Sequence, residues 1–127
     1  MVEAGSLLHD IGRSKTNGIF HAVEGAKIAK QLKLSDKVVK IIERHIGGGL
    51  SSDIAKKLGL PSGDYIPITL EEKIVCHADN LIDNNKKQRI ENEIEKALKE
   101  NKIDYAIRLV NLHRELSEIC DFDLNNL

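Results

Sequence analysis

Apolar residues recur along most of this chain at three- and four-residue intervals, the spacing that builds one face of an α-helix. Val2, Leu7, Leu8 and Ile11 set the first such face, which Gly12 is expected to close as a C-terminal cap. Polar, turn-forming residues fill 13–19, and a second face runs from Phe20 to Leu32 through Val23, Ala26, Ile28 and Ala29. Ser35 or Asp36 can cap a third helix, with Val38, Val39, Ile41, Ile42 and Ile46 on its apolar side and Gly47-Gly48-Gly49 at its end. Ser51 or Ser52 opens a short helix that Gly59 stops, and 60–67 reads as a loop. Thr69 and Glu72 then form a capping box before Ile74, Val75, Ala78, Leu81 and Ile82, which predicts one long helix.

After Asp83-Asn84-Asn85 the pattern narrows to a charged helix over 86–98 with a seam of Ile90, Ile94, Ala97 and Leu98. The final helix, about 104–120, has a fuller face of Ile107, Val110, Leu112, Leu116 and Ile119. The fold class is therefore all-α. Residues 1–85 form the main unit, and 86–127 a C-terminal helical hairpin packed on it. A length of 127 residues suits one compact domain, and two prolines with 3% aromatic residues agree with a helical protein.

Nineteen basic against 20 acidic residues give a formal net charge of −1, so no global field draws the chain to nucleic acid, and no nucleic-acid partner is expected. Cys76 and Cys120 lie in helical stretches without a disulfide spacing, and both are expected to be buried, inert thiols in a reducing cytosol. No run approaches the ~20 apolar residues of a membrane span. A soluble, cytoplasmic protein without a membrane partner is the expectation.

Candidate chemistry enters with His9-Asp10, two metal-competent side chains that end an apolar run in the last turn of the first helix. Neighbours on a helix point about 100° apart, so both can face one ion only where it lies off the helix end. His21 stands at a helix start and His45 in a last turn; taken singly, each reads either as a ligand or as an ordinary histidine. Glu24, one turn after His21, is a candidate to bind that ring from behind, or a solvated acid. Asp79 sits among Ala78, Leu81 and Ile82, where an unpaired carboxylate is unfavourable, and Asp83 shares its helical face as a supporting acid. His77 points about 200° from Asp79 on one helix, so it reads as a non-ligand, as does His113. Arg13 and Lys15, in the loop after the pair, could meet a phosphate beside an ion, or be solvated charge. Nitrogen and oxygen donors without thiolate suit Mn, Fe, Ni, Co, Zn or Mg.

The ordered series Leu8-His9-Asp10-Ile11-Gly12-Arg13, His21-Ala22-Val23-Glu24-Gly25-Ala26, Ile42-Glu43-Arg44-His45 and Lys73-Ile74-Val75-Cys76-His77-Ala78-Asp79 resembles the HD-domain metal-dependent phosphohydrolase superfamily over roughly residues 4–83. Within it, two histidines between the His-Asp pair and the last aspartate resemble the dinuclear branch, which includes bacterial diiron diadenosine tetraphosphate hydrolases. The resemblance implies a bundle of about five core helices and one or two divalent ions held by His9, Asp10, His21, His45 and Asp79. It also implies Asp10 as the bridge between ions, and hydrolysis of a phosphomonoester or phosphodiester, often a nucleotide, by metal-activated water.

In that expectation Asp10 orients the nucleophile and Arg13 and Lys15 offset phosphate charge. The alternative is a non-catalytic HD domain acting as a nucleotide sensor or helical interaction module. The superfamily places a further histidine upstream of the pair, and this chain has none before His9. The expectation is either a shortened front, with dimerisation through the uncovered face as one consequence, or a site built without that ligand.

Overall fold

The computed structural model describes all residues, Met1–Leu127, and is all-α apart from one two-residue hairpin. Its helices are α1 (Val2–Leu8), α2 (His21–Gln31), α3 (Asp36–Glu43), α4 (Ser52–Lys57), α5 (Leu70–Asn80), α6 (Ile90–Lys99) and α7 (Ile103–Cys120), with 3-10 turns at Ile11–Ser14 and Leu124–Asn126. The caps form where serine and threonine oxygens can reach backbone amides. Ser35 accepts from Val38 N, Ser51 from Ile54 N, and Thr69 and Glu72 complete the capping box of α5.

Three apolar clusters hold the molecule together. Ala26, Ala29, Val38, Val39 and Ile42 join α2 to α3, with Ala4, Leu8 and Ile11 packed against them from the front of the chain. Val23, Leu50, Ala55, Leu60 and Tyr65 fix the α4 region, where Leu50 and Tyr65 also form an isolated antiparallel bridge. Cys76, Leu81, Ile90, Leu109, Leu112, Leu116 and Leu124 fasten the α6–α7 hairpin onto α5. Arg44, just past α3, forms an ion pair with the buried Glu72 at the head of α5 (2.6 Å), tying the two ligand-bearing regions together.

Several boundaries differ from the sequence reading. The first helix ends at Leu8, so Asp10 begins a 3-10 turn instead of closing the helix. Gly12 lies buried within that turn and is no helix cap. A Cβ there would collide with the His21 carbonyl, so the missing side chain is what lets the turn seat against α2. The expected long helix after Thr69 stops at Asn80, and Ile82–Asp83 pairs with Lys86–Lys87 in register Ile82↔Lys87, Asp83↔Lys86. Asn84 and Asn85 take φ of +49° and +63°, the left-handed pair a tight two-residue hairpin demands. The charged helix correspondingly starts at Ile90, not at residue 86.

Cys76 is buried as expected, and burial pushes its thiol well above the usual range; Cys120 is exposed, contrary to expectation. No helix is long and apolar enough to cross a membrane.

Candidate metal centre

Five elements deliver the cluster. His9 follows the end of α1, Asp10 starts the 3-10 turn, His21 begins α2, and His45 lies just beyond α3, while Asp79 comes from the last turn of α5. α2 and α3 pack on one another joined by a short connection, so the start of one and the end of the other fall side by side. His21 Nε2 accordingly lies 2.8 Å from His45 Nε2, across 24 residues of chain.

Asp10 Oδ1 is 3.2 Å from His21 Nε2 and 3.4 Å from His45 Nε2. His9 Nε2 lies 3.6 Å from Asp10 Oδ2 and 3.6 Å from Asp79 Oδ1. Ligand atoms of His9, Asp10 and His45 all fall within 4.8 Å of one another.

The other ring nitrogens decide what this cluster can do. His9 Nδ1 donates to the Ser6 carbonyl (2.7 Å), His21 Nδ1 to the Gly18 carbonyl (2.7 Å) and His45 Nδ1 to the Ile42 carbonyl (2.6 Å). A carbonyl only accepts, so each Nδ1 carries its hydrogen and each neutral ring presents a bare Nε2 lone pair to the centre. Bare lone pairs 2.8 Å apart repel, and Asp10 Oδ1 adds a buried oxygen that accepts no hydrogen bond. A cation at the centre would relieve these repulsions, and the donor set of imidazole and carboxylate suits a divalent ion, which His9, Asp10 and His45 are placed to hold.

The electrostatics run the same way. The His45 ring facing Asp10 holds its carboxyl well below the usual carboxylate range against the opposing effect of burial, with His9 and Arg13 adding to the shift. The Asp79 carboxylate beside His9 raises that ring, whereas burial lowers His21.

Of the remaining sequence candidates, Arg13 joins the cluster through Nε, 3.1 Å from Asp10 Oδ1, and reaches the Asn17 carbonyl with its guanidinium. Lys15 is exposed and forms no ion pair with the cluster. Glu24 does not bind His21: its carboxylate takes Lys27 at 3.0 Å, and the Gly18 carbonyl already satisfies the ring. Asp83 is carried away from Asp79 because α5 ends before it, and it lies exposed in the hairpin. Asp79 itself is not buried among core residues; its side chain is 40% exposed and open to the cluster.

A second histidine group escaped the sequence reading. His77 Nε2 lies 2.8 Å from His113 Nδ1, and His113 Nε2 lies 2.8 Å from Asp123 Oδ1 in the C-terminal turn. His77 and His113 carry no pattern of their own, and only the packing of α7 on α5 brings them together.

The family described as the HD domain matches residues 1–84. Over all of its 127 residues the chain is 50% identical to the tRNA (cytidine(56)-2'-O)-methyltransferase of Picrophilus torridus, covering 37% of that protein. It is 44% identical, again over its full length, to the protein of the same name from Thermoplasma volcanium, covering 38% of it. An uncharacterized protein of Methanocaldococcus jannaschii is 55% identical over 96 residues, which are 76% of this chain and 57% of that protein. The chain thus spans well under half the length of the two methyltransferases. No solved structure matches it.

These relatives overturn the expectation of a metal-dependent phosphohydrolase acting on a small nucleotide, because proteins aligned with the whole chain are named for methyl transfer to tRNA. They equally overturn the expectation that no nucleic acid is involved. A ligand pattern specifies an ion site but not the reaction run beside it, and net charge averages away any local basic surface.

Proposed function

The chain belongs to the HD-domain family, and from that membership we propose that it is a cation-holding helical domain of a cytoplasmic tRNA-modifying methyltransferase. The tRNA half of this reading is supported by alignment of the entire chain with two proteins so named. The cation half is carried by one observation: three imidazoles with their Nδ1 hydrogens spent on carbonyls turn bare Nε2 atoms toward Asp10.

In this reading His9, Asp10 and His45 grip the ion, and His21 and Asp79 complete the set for one ion or two. When bound, the ion supplies a fixed positive charge able to take up a phosphate oxygen of RNA. Arg13 steadies the Asp10 carboxylate. Residues 1–85 form the cation-holding unit, and 86–127 brace it by covering α5.

The test uses the full chain, loaded with Mn²⁺ or Zn²⁺ and separated from free metal, then assayed for metal content and for retention of a tRNA transcript with and without chelator. One or two ions per chain and tighter tRNA retention in the loaded form are expected. Failure to retain ion in stoichiometric amount would remove the cation assignment. Failure to hold tRNA in either state would remove the tRNA assignment.

A further inference from the structure

The basic residues are not spread evenly. Residues 27–40 carry Lys27, Lys30, Lys33, Lys37 and Lys40 against a single acid, Asp36, in a chain whose net charge is −1, so the remainder carries an excess of acid. All five lysines are exposed. Lys27 and Lys40 are paired within their own helices, to Glu24 at 3.0 Å and Glu43 at 3.5 Å; Lys30, Lys33 and Lys37 are in no ion pair. These three surround the connection between α2 and α3.

Lys33 is the sharpest of them. It has φ +58°, and Leu34 N donates to the Ala29 carbonyl (3.0 Å), so Lys33 occupies the left-handed position that ends a helix and that glycine or asparagine fills without strain. Five non-glycine residues in the chain have positive φ; Asn84, Asn85, Asn101 and Asp121 are of the tolerant kind and Lys33 is not. A positive side chain is thus held at the tip against backbone preference, which points to a use for its charge.

The tip also has a fixed relation to the metal centre. His21 and His45 close one end of the α2–α3 hairpin, and the three unpaired lysines crowd the other, about 16 Å away along an 11-residue helix.

We propose that this lysine tip is a contact surface for the phosphodiester backbone of RNA. The proposal rests on the tRNA reading above and specifies where tRNA lies on the domain. A flexible ammonium suits it as a point charge for phosphate, giving affinity without base specificity.

The experiment measures binding of the full chain to a tRNA transcript across a KCl series. Lys30→Gln, Lys33→Gln and Lys37→Gln combined should weaken binding at least about tenfold at low salt and reduce the slope of log K against log salt by about 2, since each phosphate contact contributes about 0.7–0.9. Lys86→Gln, Lys87→Gln and Lys99→Gln combined should leave both unchanged. A wild type that binds tRNA beside a tip variant that binds equally well would overturn the tip and leave the tRNA reading standing; a wild type that does not bind tRNA would overturn both. Poly-glutamate competing as strongly as tRNA would assign the tip to an acidic protein and overturn the proposal. Lys33→Asn adds a contrast of sign, raising the thermal midpoint while lowering tRNA affinity; a higher midpoint with unchanged affinity would count against the tip.

Discussion

The two histidine groups of this protein look alike by distance and differ in chemistry. His21 and His45 face each other at 2.8 Å, as do His77 and His113, with ring centroids 4.8 Å and 4.9 Å apart. In the second group the hydrogens run in one direction. His113 Nε2 donates to Asp123, its Nδ1 is then free to accept, and His77 Nε2 donates to it. In the first group both Nδ1 hydrogens are already spent on carbonyls, and no neutral arrangement supplies a donor between the rings. The second group is linked ring to ring without an ion, although His77 Nδ1 stays buried without a partner; the first group has no such link. What separates them is that the far nitrogens of His21 and His45 both meet carbonyls, whereas that of His113 meets the Asp123 carboxylate and leaves its near nitrogen able to accept.

Ion loading should divide the groups most strongly. With divalent ion at about a thousandfold over its dissociation constant, the unfolding free energy should rise by about 4 kcal/mol, read as a shift of the denaturant midpoint. His45→Ala should abolish that gain and His113→Leu should keep it; the reverse result would exchange the roles assigned to the two groups.

Acid should act next. Burial first, and the neighbouring His113 second, depress His77 to about 4. Between the unfolded value near 6.5 and this folded value the unfolded chain binds the proton and the folded chain does not. Stability from His77 is therefore complete above about pH 6.5 and falls as pH drops toward 4, by about 3 kcal/mol at 1.36 kcal/mol per pH unit. Subtracting the profile of His77→Gln isolates this contribution, and identical profiles would refute it. His9, raised by Asp79, contributes in the opposite sense, present below its unfolded value and lost as pH rises through its folded one.

Breaking the closed group itself has a smaller effect. His113→Leu leaves the buried His77 Nε2 hydrogen without an acceptor, and should lower stability by about 2 kcal/mol in denaturant titration. Glu24→Gln should change ion affinity less than about twofold, because Glu24 touches Lys27 and not His21. A loss comparable to that of second-sphere ligand supports, about 10- to 100-fold, would show that Glu24 moves onto the His21 ring when the ion binds.

The residues of the open group were legible because each belongs to a helix boundary that the sequence marks. His21 precedes the apolar face of α2, His45 follows that of α3, and His9-Asp10 stands before Gly12. The supporting acids were less legible: Glu24 does share α2 with His21, but Lys27 takes its carboxylate, and the Asp83 assignment assumed an uninterrupted helix. Asn84-Asn85 carried a turn signal that ends the helical reading before Asp83 could share a face with Asp79. The lysine run at 27–40 was equally visible, but total charge concealed it. Nothing local links His77 to His113, 36 residues away.

By itself the sequence determined the helices, since the three- and four-residue apolar rhythm and the Ser35, Ser51 and Thr69 caps act within a few residues of chain. It also determined that His9-Asp10, His21 and His45 stand at helix boundaries, whereas Asp79, read as lying within a longer helix, reaches a helix end only because α5 stops at Asn80. Only the tertiary structure decided which of them meet, and in which protonation pattern. Convergence depends on close approaches such as Gly12 against the His21 backbone, and a ring's free nitrogen depends on the carbonyl that packing places behind it.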